Sequence, residues 1–431
     1  MSRDRHTDPA FPALHGRPDA GWVNDPNGLA RVGGRFHVFF QHNPDAPVHD
    51  SIVWGHASSD DLITWRQEPI ALAPRPGALD SRGCWTGCLT VDDGVPTVVY
   101  SGVTDATGAS HVLLARSDGD LTTWVPEERP AAGMPDDPAV SDVRDPYLFE
   151  LDGHRYAVQG AGHPHGRPCL LVYDAADLGD WRLLGTLLHG DEPVAGPLAP
   201  ANIWECPNLA RVGDRWVLVL SQWRLVGDRH DLAGVRYLVG DLRLDGGVPR
   251  FVPEAGGVID TGPTFYAPQL LATDGRVLLW AWAWEHGREE EQVAAAGWAG
   301  VLTFPRELTL DGNALVSTPA AELTGLRRAP LEVLPGAPFA AAAFDVELPS
   351  GRDAALWLLH DDGDELVERW SSPAAPVVPP RLLVDGSLVE VFPGGPRSLT
   401  TRGYPRPGSR WRLDLTGAFT GPVPAWSLGL P

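Results

Sequence analysis

The chain has 431 residues and a net charge of −22, with 56 acidic residues against 34 basic ones, every one of them arginine. So acidic a protein gains nothing from counterion release on a phosphate polymer, which excludes nucleic acid as a partner, and no apolar run approaches membrane-spanning length. The length suits two domains, and 48 glycines with 42 prolines suit many tight turns rather than long helices.

The first 21 residues hold no apolar stretch flanked by basic residues, so no signal peptide is expected. The first informative stretch is Trp22-Val23-Asn24-Asp25-Pro26-Asn27-Gly28. Four more follow at a period of about sixty: Cys84-Trp85-Thr86-Gly87, Val143-Arg144-Asp145-Pro146, Trp204-Glu205-Cys206-Pro207 and Thr264-Phe265-Tyr266-Ala267-Pro268. After each comes a turn and an apolar run: Gly34 to Phe40, Gly94 to Tyr100, Gly153 to Val158, Asp214 to Leu220 and Gly275 to Trp280. Short β-branched and aromatic runs bounded by Gly and Asp are strand signals. A third marker keeps phase in Asp61-Leu62-Ile63-Thr64-Trp65, Asp120-Leu121-Thr122-Thr123-Trp124 and Asp177-Leu178-Gly179-Asp180-Trp181. A repeat of this size with several strands per unit predicts β-propeller blades, and five units predict five blades.

Past the last repeat, Pro319 to Arg327 is the best short helical candidate and reads as a linker. Beyond it, Ala354 to Leu359, Arg381 to Val384, Leu388 to Phe392 and Trp411 to Leu415 read as strands, with a Pro-rich loop from Pro373 to Pro380. The expected fold is all-β: a five-bladed β-propeller over 1–318, a linker over 319–335 and a small C-terminal β-sandwich over 336–431. The cysteines are Cys84, Cys88, Cys169 and Cys206. On one strand Cys84 and Cys88 would stand about 13 Å apart, too far for a disulfide, so reduced thiols and a cytoplasmic protein are expected. The 14 histidines are scattered, and the close pair His163 and His165 lacks a partner set, so no metal site is expected.

Asp25 and Asp145 lie 120 positions apart, two periods, and Glu205 follows 60 further on. Each has a structural reading alone: Asp25 in a turn, Asp145 in an ion pair with Arg144, Glu205 as a solvated strand residue. Acids at equivalent positions of a cyclic repeat instead converge, and converging carboxylates are the layout of a glycosidase. One must stay protonated, which a dry setting and neighbouring carboxylates favour. Trp204 and Cys206 flank Glu205 and supply the dry setting, while the amides of Asn24 and Asn27 would help keep Asp25 ionised.

These motifs resemble glycoside hydrolase family 32, the invertase, inulinase and levanase family. Supporting matches are Phe40-Gln41-His42-Asn43-Pro44, Trp54-Gly55-His56, Phe265-Tyr266-Ala267-Pro268-Gln269, Pro305-Arg306-Glu307-Leu308 and Leu383 to Phe392. The resemblance runs nearly end to end. It implies a five-bladed propeller with a β-sandwich and retaining hydrolysis of β-fructofuranosides, with no metal or organic cofactor. It implies Asp25 as nucleophile, Glu205 as general acid and base, and Asp145 as stabiliser of the oxocarbenium-like transition state. Asn24, Gln41, Trp54, Trp85, Thr86 and Arg144 would line the fructose subsite, with Tyr266 and Trp282 completing its wall; Trp280 and Trp284 compete with Trp282 for that place. Three departures stand out. Val23 replaces a longer side chain, Trp85-Thr86-Gly87-Cys88 replaces the common Phe-Ser-Gly-Ser, and the tail of about one hundred residues is short for the sandwich.

Three functions compete: a hydrolase of sucrose and short fructo-oligosaccharides, a fructosyltransferase of the same fold, and a non-catalytic sugar- or protein-binding propeller. Three retained carboxylates argue against the last. A preference for sucrose-6-phosphate stays open, because it depends on a local basic pocket, and so does a homo-oligomer. The absence of a secretion signal favours small imported sugars over polymeric levan or inulin.

Overall fold

A computed structural model describes residues 7–105, 107–417 and 421–431, so the first six residues of the expected 1–318 unit lie outside it. The chain is mostly β. Five antiparallel units of four strands come first. The first runs Gly21–Val32, Arg35–Asn43, Val53–Ser59 and Trp65–Leu72, and the second Gly83–Asp92, Val95–Val103, His111–Ser117 and Trp124–Pro126. The third runs Asp142–Leu151, His154–Gly162, Cys169–Asp174 and Arg182–His189. The fourth runs Ile203–Val212, Arg215–Val226, Arg229–Asp245 and Val248–Val258; it pairs with the third at Gly162 opposite Ile203 and shares a core with it. The fifth runs Phe265–Thr273, Arg276–Ala283, Arg306–Asp311 and Ala314–Pro319.

The first strands of consecutive units touch in cyclic order, and that of the fifth touches that of the first. Trp298–Ala299 also pairs in parallel with Gly21 and Trp22, tying the end of this region to its beginning. Gly300 follows in the left-handed region, where a Cβ would collide with the Val23 carbonyl. The first strands are covered on both faces, which explains their near-continuous apolar character. Fully burying a side chain such as Phe39, Val98 or Leu218 contributes about 1.5–3 kcal/mol each.

The Asp-Leu-x-x-Trp marker is a turn. Asp61 accepts the amides of Ile63 and Thr64 at 3.0 and 2.7 Å, which holds buried Leu62 at φ +64. Asp120 and Leu121 repeat the arrangement, with Trp124 donating to the Leu121 carbonyl at 3.1 Å.

Every first strand breaks register at an equivalent place: between Val23 and Pro26, Trp85 and Gly87, Arg144 and Tyr147, Glu205 and Asn208, and Tyr266 and Gln269; the first also has a second break, between Asn27 and Ala30. Such bulges re-aim side chains. The residue ahead of the proline, or of Gly87 in the second unit, falls inside the break. Those residues are Asp25, Thr86, Asp145, Cys206 and Ala267. The expectation that Glu205 shares the position of Asp25 and Asp145 is therefore off by one. Cys206 holds that position, and Glu205 corresponds to Asn24, Trp85, Arg144 and Tyr266.

Past Pro319 the expected helical turn is a 3₁₀ turn, Ala321–Leu326. Two sheets follow, in strand order Arg327–Pro330, Ala425–Leu428, Ala343–Glu347, Arg381–Asp385, Leu388–Phe392, Leu399–Arg402 and Pro338–Phe339, Arg410–Leu415, Asp353–His360, Gly363–Ser371. They share one core that includes Phe344, Leu356, Val384 and Trp411. Against the first region the tail presents apolar side chains, Leu383 and Phe392 beside Leu14, Ile63 and Phe304, and also charge. Arg306 is fully buried, bound to Asp260 at 2.8 Å and to Glu390 at 2.6 Å, while His15 lies between Asp385 and Glu390 at 2.8 and 3.4 Å.

Candidate active site

The bulges place two rings of side chains at one end of the first strands. From the first ring, Asp25 accepts Thr86 Oγ1 at 2.5 Å and Gln41 Nε2 at 3.3 Å on Oδ2, and Asn24 Nδ2 at 3.0 Å on Oδ1. Trp22 Nε1 donates to Asn24 Oδ1 at 2.7 Å and so orients that amide. Asn27, expected to help, does not reach Asp25; Thr86 and Gln41 take its place. Asp145 Oδ2 accepts the Cys206 amide at 2.9 Å. The Cys206 thiol lies 3.6 Å from Asp25 Oδ2 and 3.5 Å from Asp145 Oδ2, so a single sulfur bridges the two carboxylates.

Three residues at these bulges are left-handed without being glycine: Asp145 at φ +61, Cys206 at +48 and Ala267 at +46. Each such position costs of order 1–3 kcal/mol and persists only where neighbours hold it. The holding is visible. The Asp145 amide donates to Ser101 Oγ at 2.9 Å, that of Cys206 to Asp145, and that of Ala267 to Ser221 Oγ at 3.1 Å.

From the second ring, Glu205 accepts Arg144 Nε at 2.9 Å on Oε1 and Tyr266 Oη at 2.7 Å on Oε2. Arg144 also holds Asp142 at 3.2 Å, so its ion pairs are with Glu205 and Asp142, not with Asp145 as the purely structural reading would have it. Burial works against the Arg144 charge, but Glu205, Asp145 and Asp142 outweigh it and raise the guanidinium. Burial raises Asp25, helped by the charge of Glu205 and opposed by Thr86 and Asn24. Burial and the charges of Glu205 and Asp25 raise Asp145, against Arg144. The Cys206 thiol is pushed up by burial and by the carboxylates around it, and it stays protonated. Burial and neighbouring charge thus disfavour ionising Asp25 and Asp145 together.

Trp282 stands opposite Tyr266, its ring 5.5 Å from Trp22 and its Nε1 buried with no partner among the described residues. Trp280 instead packs beside Trp65, away from the site. Trp85 is half-buried beside the opening. Trp54 is fully buried, and its Nε1 donates to the Trp85 carbonyl at 3.1 Å, so it lies beneath that strand rather than on the wall. The site residues are thus gathered, with Trp54 one layer down.

Sequence reasoning passed over the rim. His49 is exposed between Trp22 and Trp85, with ring centroids 6.0 and 6.2 Å away. On the long fourth-unit hairpin Trp223 stacks on His230 at 6.0 Å and 8°. His49 lies close enough to feel the charges of Glu205 and His230. No motif marked these residues; only the unusual length of the Arg229–Asp245 strand could have hinted at them. Among the described residues no cluster of three or more His, Cys, Asp or Glu is arranged to hold a metal ion, and no helix is long and apolar enough to cross a membrane.

A dry cluster of carboxylates steadied by one arginine, on a mostly β scaffold, is equipment for breaking glycosidic bonds. Residues 15–319 match the glycosyl hydrolases family 32 N-terminal domain. A sucrose-6-phosphate hydrolase of Klebsiella pneumoniae is 32% identical over 441 residues, covering 95% of this chain and 92% of that one. One from Zymomonas mobilis is 33% identical over 348 residues, 74% of this chain, of which the match spans 63% of its relative's length. In structure, a β-fructofuranosidase of Bombyx mori superposes with a TM-score of 0.80 at 26% identity, over 98% of this chain and 95% of that one. The chain belongs to glycoside hydrolase family 32.

Proposed function

We propose that this protein hydrolyses terminal β-D-fructofuranosides, sucrose foremost, through a fructosyl-enzyme intermediate. The observation that carries the reading is the Cys206 sulfur within 3.6 and 3.5 Å of Asp25 and Asp145, with Glu205 the adjacent residue in the chain. Asp25 attacks the fructose anomeric carbon. The bond to the leaving oxygen breaks, its electron pair stays on that oxygen, and Glu205, as general acid, gives it a proton. Water then attacks the same carbon, Glu205 takes a proton from it, and Asp25 is released, so configuration is retained. Asp145 binds fructose hydroxyls and stabilises positive charge at the transition state. Asn24, Gln41, Thr86 and Arg144 set the carboxylates. Trp85, Tyr266 and Trp282 wall the fructose, with Trp54 supporting Trp85.

The scaffold that fits is a five-bladed propeller over 1–318 with a β-sandwich over 336–431. The cyclic contacts of the first strands support the propeller. In this division the 319–335 linker contributes the 3₁₀ turn and the Arg327–Pro330 strand. Buried free thiols at all four cysteines fit a reducing compartment.

Sucrose-6-phosphate is the second reading, favoured by the names of the Zymomonas and Klebsiella relatives. The aromatic rim of Trp22, Trp85 and Trp223 better suits an uncharged pyranose ring. A panel of sucrose, sucrose-6-phosphate, kestose, inulin and levan, with products separated by chromatography, tests both. Hydrolysis of none of them refutes the proposal. Fructosyl transfer outrunning hydrolysis at high sucrose makes the protein a transferase. NMR of the first-formed fructose checks retention.

A further inference from the structure

The segment from Asp8 to Arg17 belongs to no strand, yet it is fastened to both regions of the fold. On one side it lies along the turn at Asp385 to Ser387 in the C-terminal sheet. The Ser387 amide donates to the Ala10 carbonyl at 2.8 Å, and the Ala13 and Leu14 amides donate to Asp385 at 3.2 and 2.7 Å. Gly386 is left-handed at φ +56, and a Cβ there would strike the Phe11 carbonyl, so the two backbones are in close contact. On the other side the Gly16 carbonyl accepts Gln67 Nε2 of the first unit. Arg17 Nη2 donates to the Gly21 carbonyl at 3.0 Å, where the strand that carries Asp25 begins.

His15 sits in the seam between these attachments, its side chain buried. Nδ1 is 2.8 Å from Asp385 Oδ2, Nε2 is 3.4 Å from Glu390 Oε1, and the ring stacks on Phe304 at 3.6 Å. Both carboxylates are committed as acceptors. Asp385 takes the two amides. Glu390 takes the Phe304 amide at 2.9 Å on Oε1, and Arg306 Nε and Nη2 at 3.1 and 2.6 Å on Oε2. A neutral imidazole carries one N–H and one lone pair, so one of its nitrogens would face a carboxylate oxygen with nothing to donate. The imidazolium donates at both ends. The charge count agrees. Asp385 and Glu390 face His15, Arg306 binds Glu390, and Asp260 holds Arg306 from its other nitrogen at 2.8 Å. The cavity that His15 borders is otherwise walled by Gly16, Arg17 and apolar side chains of the first and fifth units, among them Val23, Phe40 and Trp280. Three acids thus stand against Arg306 unless His15 is charged. Burial works against that charge, but the hydrogen bonds and charges of Asp385 and Glu390 outweigh it and raise His15 above its ordinary 6.5.

We propose that His15 is a proton-operated clamp: doubly protonated, it holds the N-terminal segment across the seam, and loss of one proton to solvent base frees the segment from the Asp385 turn. A lone pair then faces a carboxylate, and the buried acids lose a compensating charge. The sign follows from the raised value. The clamp is at full strength below 6.5 and is lost as pH rises through the folded-state value. Glu390 acts in the opposite sense, since its stabilisation is lost toward acid. Between them the two groups confine the docked seam to a window of pH.

The full-length protein is labelled with nitrogen-15 histidine and titrated by NMR, and exchange of the Ala13 and Leu14 amides is followed by mass spectrometry with the intrinsic pH dependence removed. At pH 8 one imidazole protonated on both nitrogens is expected, absent from His15→Gln. The two amides should lose protection as that imidazole titrates. Asp385→Asn keeps an oxygen for the amides but removes the charge, and it should move both transitions down by about 1–3 pH units. Should His15→Gln not fold, that same shift identifies the signal. A neutral His15 at pH 8 overturns the proposal. So does protection that stays flat while His15 titrates, or a transition that Asp385→Asn leaves in place.

Discussion

Replacing Asp145 by Asn should make the protein more stable and nearly inactive at once. Burial and the charges of Glu205 and Asp25 hold this carboxyl above its ordinary value of 3.8. The folded chain therefore binds more protons than the unfolded chain between that value and the raised one. Stability falls as pH rises through this window, and above it the ionised Asp145 opposes folding in full. Asn removes the charge yet keeps an oxygen to accept the Cys206 amide, now 2.9 Å from Oδ2. A tenfold change in proton affinity is worth about 1.4 kcal/mol, and since three carboxylates share the effect we expect a gain of about 1–3 kcal/mol at pH 7. For 431 residues the unfolding entropy is about 0.9 kcal/mol per degree, so Tm should rise by about 1–3 °C. Near pH 4 the gain should vanish, because the native carboxyl is then already neutral. Losing a charged contact made at the transition state should cost about 10²–10³ in kcat on sucrose. Scanning calorimetry at both pH values and initial rates on sucrose check the two halves. Near-normal kcat would take Asp145 out of the chemistry. A Tm that falls at pH 7, or a gain that persists at pH 4, would refute the electrostatic account.

Glu205→Gln should slow sucrose cleavage by about 10²–10⁴, yet release one equivalent of phenol from an aryl fructofuranoside and then stall with the fructosyl ester on Asp25, visible by mass spectrometry; steady turnover without a burst would contradict the role. Glu390→Gln should cost about 3–5 kcal/mol at pH 7, because it strips buried Arg306 of a charged partner. Arg306 and His15 overcome burial to hold Glu390 below 4.5, so its stabilisation is full above that value and lost as pH falls below it; a mutant melting within about 1 °C of wild type at pH 7 would show the ion pair to be dispensable. With all four cysteines buried and free, native protein at pH 8 should resist iodoacetamide while urea-unfolded protein takes up four equivalents; rapid native labelling at Cys206 would mean an open site.

The repeat was legible because its markers are local. A turn aspartate ahead of Leu62 or Leu121, and an apolar run after a glycine, are fixed by neighbouring residues, and they appear in sequence as spacing. The strands from Ala354, Arg381, Leu388 and Trp411 were found for the same reason. Those at Ala343–Glu347 and Ala425–Leu428 were not, since their pairing is set by partners far along the chain. Gly363–Ser371 and Leu399–Arg402 pair with the strand just before them, but the first is rich in charged residues and the second is only four residues long, so neither shows an apolar run. The rim escaped for a similar reason. His49 and His230 are 181 positions apart, and nothing in either segment announces the other. Nor does a motif reveal that Arg306 will meet Glu390, because a buried ion pair is a property of docking, not of local pattern.

The one-residue error in phase has a chemical meaning. A bulge sends its own residue and the one before it in different directions. In the first unit the acidic residue falls inside the break, at Asp25; in the third likewise, at Asp145; in the fourth the break holds a thiol and the acid precedes it. Had Glu205 shared the inner ring, three carboxylates would crowd one point, and none would face the leaving group. Displaced by one position, Glu205 joins Arg144 and Tyr266, which hold its two oxygens at 2.9 and 2.7 Å. Cleaving a glycosidic bond needs its nucleophile and its acid on different sides of one carbon. On the proposed assignment, moving the acid by a single residue meets that need, and it leaves a protonated thiol between the two remaining carboxylates, where a third charge would cost the most.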